Sequence, residues 1–504
     1  MKSALSRPFR PIPIRIALIA AFIVVAVCAI FLRFSNLDTP LLDFHPTRQL
    51  FGAIKARGIY YQTATEIPDW KKEIASKQIA TEAVIEPPLM EITTAALYKR
   101  FGENTAIPRA ISASAWLIGA IFLILLAKDL SSSWLGSLAA AVTYLFLPYG
   151  IKASTAFQPD PLMIALILLF WWCFGRWTRK DTWYWALCAG IAGGLAIFIK
   201  FTAVFFIASG AFGLLFTYRQ KPVWPFPLRL WFVVLLGALP AGIYLLYGTF
   251  VDPFLVQQFG GRFFLEKWID PYFYLKWIIT VDNVIPFGLA VAATLGLLVY
   301  VSNAKRTLYA WLLGGYFAFG MVFSHHISSH DYYSLPLVPI LALLVGELAA
   351  LVVIGDPNSR PTPEHIPAGW LYLSFLFLAL YTITNLVELR SERAKLVREV
   401  KVWEEIGDTI GHQPGVISLT TDYGYALEYY GVQNTSLWPV YSEVERFKQE
   451  FDKQLDNRAY FLITDFGELK NQPQLLPSLQ ARYPMIAQTP DFILFNIVEP
   501  LPKP

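Results

Sequence analysis

Ile16-Ala17-Leu18-Ile19-Ala20-Ala21-Phe22-Ile23-Val24-Val25-Ala26-Val27-Cys28-Ala29-Ile30-Phe31-Leu32 holds no charge and is nearly long enough to cross a bilayer as one helix. Lys2, Arg7, Arg10 and Arg15 precede it. Beyond its other end comes Asp43-Phe44-His45-Pro46-Thr47-Arg48, a carboxylate, an imidazole and a guanidinium within six residues. Ionisable groups at a membrane surface are costly to keep idle, so this patch is the first place to look for chemistry on a lipid-borne substrate. The composition agrees: 55% of the 504 residues are apolar and 15% charged, which together with repeated long runs excludes a soluble globular protein. The run is too long for a signal peptide and lacks a small-x-small cleavage site, so it reads as a retained helix.

Eleven runs reach or approach spanning length, near 14–34, 108–127, 133–151, 159–176, 182–199, 201–218, 230–250, 282–302, 307–325, 333–354 and 367–387. Only Lys200 separates the fifth from the sixth. The basic N-terminus fixes the first span with its start in the cytoplasm. Alternation then places Arg176, Arg179 and Lys180, then Arg219, Lys221 and Arg229, and then Lys305 and Arg306 on the same inner side. The expected architecture is an all-α polytopic membrane domain over 1–387, with a small α/β extracytoplasmic domain over 388–504. Cys28, Cys173 and Cys188 lie within apolar runs and have no metal-ligand spacing, so they carry no redox information.

With this topology the unusual polar residues share one face. The first outer loop, 35–107, holds Asp43, His45, Arg48 and Glu86, and Arg109 starts the second span. Asp160 starts the fourth span, Lys200 lies in an outer turn, and His325, His326, His330 and Asp331 fill another. Two short amphipathic helices are expected in the first loop, over Thr47–Tyr61 and, opened by Pro87-Pro88, Leu89–Phe101.

Glu86-Pro87-Pro88-Leu89, Phe101-Gly102-Glu103-Asn104, Pro108-Arg109-Ala110-Ile111-Ser112, Pro159-Asp160-Pro161-Leu162, Phe198-Ile199-Lys200-Phe201 and His330-Asp331-Tyr332-Tyr333-Ser334-Leu335-Pro336 follow the Asp43 loop in order. The ordered set resembles bacterial membrane glycosyltransferases of the GT-C class, related to protein O-mannosyltransferases and to the lipid A aminoarabinose transferase. The resemblance covers roughly residues 14–340. It implies transfer of a sugar from a polyprenyl-phosphate carrier outside the bacterial cytoplasmic (inner) membrane; direct displacement with inversion, onto a hydroxyl of a glycolipid, envelope polysaccharide or protein, is the expected course. It also implies that Asp43 is the essential first-loop acid and Asp160 a second acid, with Arg109 and Lys200 gripping the carrier phosphate. Many relatives have Asp-Glu where this chain has Asp43-Phe44-His45, which leaves the acceptor open.

The chemistry suits those residue types. A carboxylate can take the acceptor proton as the bond forms, and fixed cations can offset charge growing on a departing phosphate. His45, Arg48, Glu86, His330, Asp331 and Tyr332 are further candidates for substrate contact. Each has a structural alternative. Asp43 also suits a cap for the helix near Thr47 or a partner for Arg48, Asp160 suits an N-cap, and Lys200 suits a snorkelling lysine. A divalent metal is compatible with the histidine turn, but no spacing requires one. The partners implied are the donor, the acceptor and membrane lipids, and no nucleic acid. A transporter or lipid flippase is the competing class, but it would more often show inverted repeats and mid-bilayer charges. A non-catalytic relative that binds the carrier lipid is the third.

At the C-terminus Gly415–Thr421 and Tyr460–Thr464 read as strands, Ser442–Leu455 and Pro473–Tyr483 as helices, and Met485–Ile497 as a hairpin. Asp422-Tyr423-Gly424 and Asp465-Phe466-Gly467 follow strands, where α/β sheets place ligand contacts.

Overall fold

The computed structural model describes residues 12–82, 84, 86–219, 227–259, 264–300, 303–354, 365–441, 443–499 and 501. Lys2, Arg7, Arg10 and Lys221, which bear on orientation, lie outside the described residues. The chain divides into two compact units. The first comprises Met1–Leu37, Ala83–Leu89 and Arg109–Leu389, and the second Asp38–Glu82, Met90–Pro108 and Arg390–Pro504.

The first unit is helical because uninterrupted apolar sequence in a bilayer must satisfy its backbone internally. Among the described residues, six helices are long and apolar enough to cross: Ile14–Phe34, Ala106–Ser131, Asp160–Lys180, Leu228–Val251, Asp331–Leu351 and Ala368–Ile410. Counting each of two bent pairs as one span brings the number to eight. The bends have one cause. Leu147 and Ile285 each precede a proline and are driven into extended backbone, which ends the helix there. The chain then turns by 64° between Trp134–Phe146 and Pro148–Thr155, and by 96° between Pro271–Val284 and Phe287–Leu295. Trp183–Ile199 and Ala203–Tyr218 are shorter apolar helices.

Close helix packing depends on missing side chains. A Cβ on Gly136 would lie 2.6 Å from the Gly346 carbonyl oxygen, and the converse also holds, so Trp134–Phe146 and Leu337–Ile354 meet backbone to backbone. Trp116 stacks on Tyr144 with ring centroids 4.3 Å apart. Ion pairs tie other helices together, with Asp129 taking both Arg176 and Arg179, and Glu347 taking Lys305.

The second unit combines the helices Pro46–Tyr61 and Asp69–Thr81 with a five-stranded mixed sheet. Its strands are β1 (Val416–Leu419), β2 (Thr435–Leu437), β3 (Tyr460–Ile463), β4 (Met485–Gln488) and β5 (Ile493–Asn496). Their order is β2-β1-β3-β5-β4, with β1 parallel to both neighbours and β5 antiparallel to β3 and β4. Trp438, Phe447, Phe451, Phe461 and Phe495 fill the core, and the Trp438 indole donates to Gln472 at 3.0 Å. β2 went unread in the sequence because it is three residues long and carries no buried alternation.

One buried carboxylate in this unit makes its stability depend on pH. Glu428 is 8% exposed, and burial, followed by the nearby Glu82, pushes its carboxyl up to about 8. Burial raises the Glu82 carboxyl as well, opposed by the hydrogen bond that Tyr425 donates to it at 2.9 Å. The native state therefore binds an extra proton between the unfolded carboxyl range and about 8. Stability should fall as pH rises through that window, by at most about 1.4 kcal/mol per pH unit. Glu428→Gln should flatten the melting temperature between pH 5.5 and 8.5. An unchanged slope in a thermal scan would refute the assignment.

Candidate functional site

In the second unit the Asp43 segment is held by the first turn of Pro46–Tyr61. Pro46 opens that helix, where its missing N–H is no loss. The cap is His45 rather than Asp43, and no side-chain cap bond is made. His45 adopts φ 46° and ψ 68°, a left-handed conformation that a residue before proline ordinarily avoids. Its carbonyl accepts from Arg48 N at 3.0 Å and from Gln49 N at 3.3 Å. The buried Gln49 amide donates to Asp43 Oδ1 at 2.9 Å and to the Phe44 carbonyl at 2.7 Å, fixing the carboxylate's direction. Thr47 donates to Asp422 at 2.6 Å, which ties this turn to the segment after β1. Asp43, His45 and Arg48 are all partly buried.

Strain of that kind costs about 1–3 kcal/mol and persists where the surroundings impose it. His45→Gly should raise the melting temperature, since glycine adopts φ 46° freely. If the imidazole contacts substrate, the same change lowers activity. A variant less stable than wild type would show that the conformation is not strained.

In the first unit the other candidates converge at helix ends. Asp160 is the first residue of Asp160–Lys180, behind the cap residue Pro159. Its two oxygens accept from Lys200 Nζ at 2.8 and 3.0 Å. Lys200 is in extended backbone between Trp183–Ile199 and the helix that starts at Ala203. Both side chains are buried, Asp160 at 2% and Lys200 at 4% exposure. The ammonium also lies 5.2 Å from the Tyr332 ring centroid and 5.1 Å from that of Tyr333, within cation–π reach. Tyr149, next to the Pro148 break, donates to Asp331 at 2.7 Å. His330 meets Tyr332 with centroids 5.6 Å apart, and its Nδ1 is 2.8 Å from Ser329 Oγ.

The structure thus brings Asp160, Lys200, Asp331, Tyr332 and His330 into one cluster. Arg109, 1% exposed in the first turns of Ala106–Ser131, reaches toward the Thr155 carbonyl at 3.5 Å, the negative end of Pro148–Thr155. Glu86 is partly buried ahead of Leu89–Phe101 and close enough to Tyr244 to act on it electrostatically. Asp43, His45 and Arg48 belong to the second unit. Sequence reasoning missed Gln49, Thr47, Tyr149 and Tyr333. Only Tyr149, beside a proline inside an apolar run, left a local signal. Among the described residues no three His, Cys, Asp or Glu side chains are arranged to hold a metal ion.

Chemically, an ammonium has three N–H donors, and Asp160 takes two here. Asp160 and the two tyrosine rings together hold the cation in place.

Residues 85–244 match the family model of dolichyl-phosphate-mannose-protein mannosyltransferases. A comparison with curated protein sequences finds no match. Among solved structures, the chain is similar to ArnT from Cupriavidus metallidurans bound to undecaprenyl phosphate. Identity is 14%, coverage is 96% of this chain and 97% of that one, and the TM-score is 0.55. The apo form of the same ArnT gives 13% identity, the same coverages and a TM-score of 0.57. At such identities the likeness is one of fold.

Proposed function

We propose that this chain is a membrane glycosyltransferase of the GT-C class, a reading supported by the family-model match over 85–244 and by the ArnT-like fold, and that it moves a sugar from a polyprenyl-phosphate carrier to a hydroxyl acceptor with inversion at the anomeric carbon. Asp43 takes the proton of the acceptor hydroxyl as the new glycosidic bond forms. Lys200 and Arg109 stabilise the phosphate as it departs, and their burial strengthens that attraction. Asp160 holds Lys200 in position, and Tyr332 lies against the bound carrier. His45, Arg48, Glu86, His330 and Asp331 contribute contacts to donor or acceptor.

The observation that carries this reading is Lys200. A buried ammonium held by Asp160 and walled by two tyrosine rings at the ends of apolar helices suits a phosphate on a lipid. ArnT, whose fold is similar, binds undecaprenyl phosphate. The reaction is proposed for the outer face of a bacterial cytoplasmic membrane, with the N-terminus inside, eleven crossings and the C-terminal domain outside. That count takes both short apolar helices and Asn303–Val322 as crossings beside the long and bent ones.

The test incubates purified protein in nanodiscs with radiolabelled polyprenyl-phosphate sugars and extracted envelope glycans. Transfer that is lost in Asp43→Asn supports the assignment. Transfer unchanged by that substitution would sink Asp43 as the base.

A further inference from the structure

The second unit contains a polar cleft of about 580 Å³, apart from every residue assigned above. Its floor is a locked network. Arg57 pairs with Glu103 at 2.7 Å, donates to the Tyr429 carbonyl and covers the Tyr429 ring, while Tyr61 donates to Glu103 at 2.7 Å. Burial alone would raise the Glu103 carboxyl, yet Arg57 outweighs it and holds the group below the usual range. The floor therefore offers fixed polar atoms and no net charge.

The walls differ. On one side Glu404 and Asp408 stand one turn apart on the last part of Ala368–Ile410, and His412 follows in the left-handed turn beyond that helix. The Asp408 side chain is 81% exposed and only 3.6 Å from His412 Nε2. On the other side Trp70 stacks on His412 with centroids 4.5 Å apart, yet stays 41% exposed. The rim is set by backbone. His412 and Val432 both have positive φ, and Gly407 and Gly431 approach so closely that a Cβ on Gly407 would lie 2.1 Å from the Gly431 oxygen.

From this geometry we propose that the cleft is a binding site for a neutral or amine-bearing oligosaccharide. Interleaved donors and acceptors match sugar hydroxyls, each of which both donates and accepts. The exposed indole offers an apolar surface to ring C–H groups. Two exposed carboxylates, Glu404 and Asp408, outnumber the single lysine of the walls, Lys71, and disfavour anions. Pro46–Tyr61 bears the Asp43 segment at its start and Arg57 and Tyr61 in its last turns, so cleft and segment are separated by roughly 20 Å along the helix axis. That span calls for an oligosaccharide rather than a single sugar. The cleft's role as the dock for the acceptor glycan rests on the transfer reading above.

Saturation-transfer NMR on the full-length protein in nanodiscs tests the site with chitotetraose, chitosan tetrasaccharide and tetragalacturonic acid as probes. The first two should bind and the acidic one should not. Affinity should fall at least tenfold in Trp70→Ala and, for the chitosan probe, in the Glu404→Gln/Asp408→Asn double variant. Absence of saturation transfer, equal binding of the acidic probe, or binding unchanged in Trp70→Ala would overturn the site. Failure of sugar transfer by wild type, with saccharide binding intact, would remove the transferase reading and leave the cleft standing.

Discussion

Lys200→Met is expected to abolish carrier-lipid binding and to cost about 3–5 kcal/mol of stability in the same protein. The stability loss follows because Asp160, 2% exposed, would keep a buried charge with no counter-ion. The binding loss follows from removing the ammonium proposed to meet the phosphate. A double variant, Asp160→Asn with Lys200→Met, separates the two effects. With neither charge left to desolvate, the double variant should regain most of the lost thermal stability, since such pairs are near break-even against neutral replacements. It should still fail to bind radiolabelled polyprenyl phosphate. If the double variant binds the carrier as wild type does, the pair is only a brace between helix ends.

Asp43→Asn should reduce transfer by about 10²–10⁴-fold, the range for losing a positioned general base. Its melting temperature should barely move, because an asparagine carbonyl can still accept the Gln49 amide that now meets Asp43 at 2.9 Å. Gln49→Ala should give a smaller loss, expressed in kcat more than in KM, because the carboxylate is kept and only its aim is lost. Full activity in Asp43→Asn, measured under single-turnover conditions, would move the base elsewhere.

The membrane class was legible because hydropathy is local: the apolar runs coincide with helices, except that 133–151 and 282–302 each straddle a proline break and 301–302 lie outside the described residues. The two sharp bends were legible in principle, since Pro148 and Pro286 stand inside apolar runs. Lys200 stood out because a charge between two such runs is rare. Asp160 stood out as a second acid as well as a helix cap, a position that Pro159 occupies instead, but its pairing with Lys200 did not, because the two lie 40 residues apart. Tyr149 with Asp331, and Thr47 with Asp422, join residues 182 and 375 positions apart. No local pattern encodes such pairs. His45 was hidden for another reason: propensity argues against left-handed backbone before a proline, and only tertiary packing reverses it.

The most direct measurement is sugar transfer by purified wild-type protein in nanodiscs, supplied with radiolabelled polyprenyl-phosphate sugars and envelope glycan acceptors, with the anomeric configuration of the product read by NMR. The expected result is transfer that requires Asp43 and Lys200 and gives an inverted linkage. A product with retained configuration, or transfer that survives loss of both residues, would contradict it.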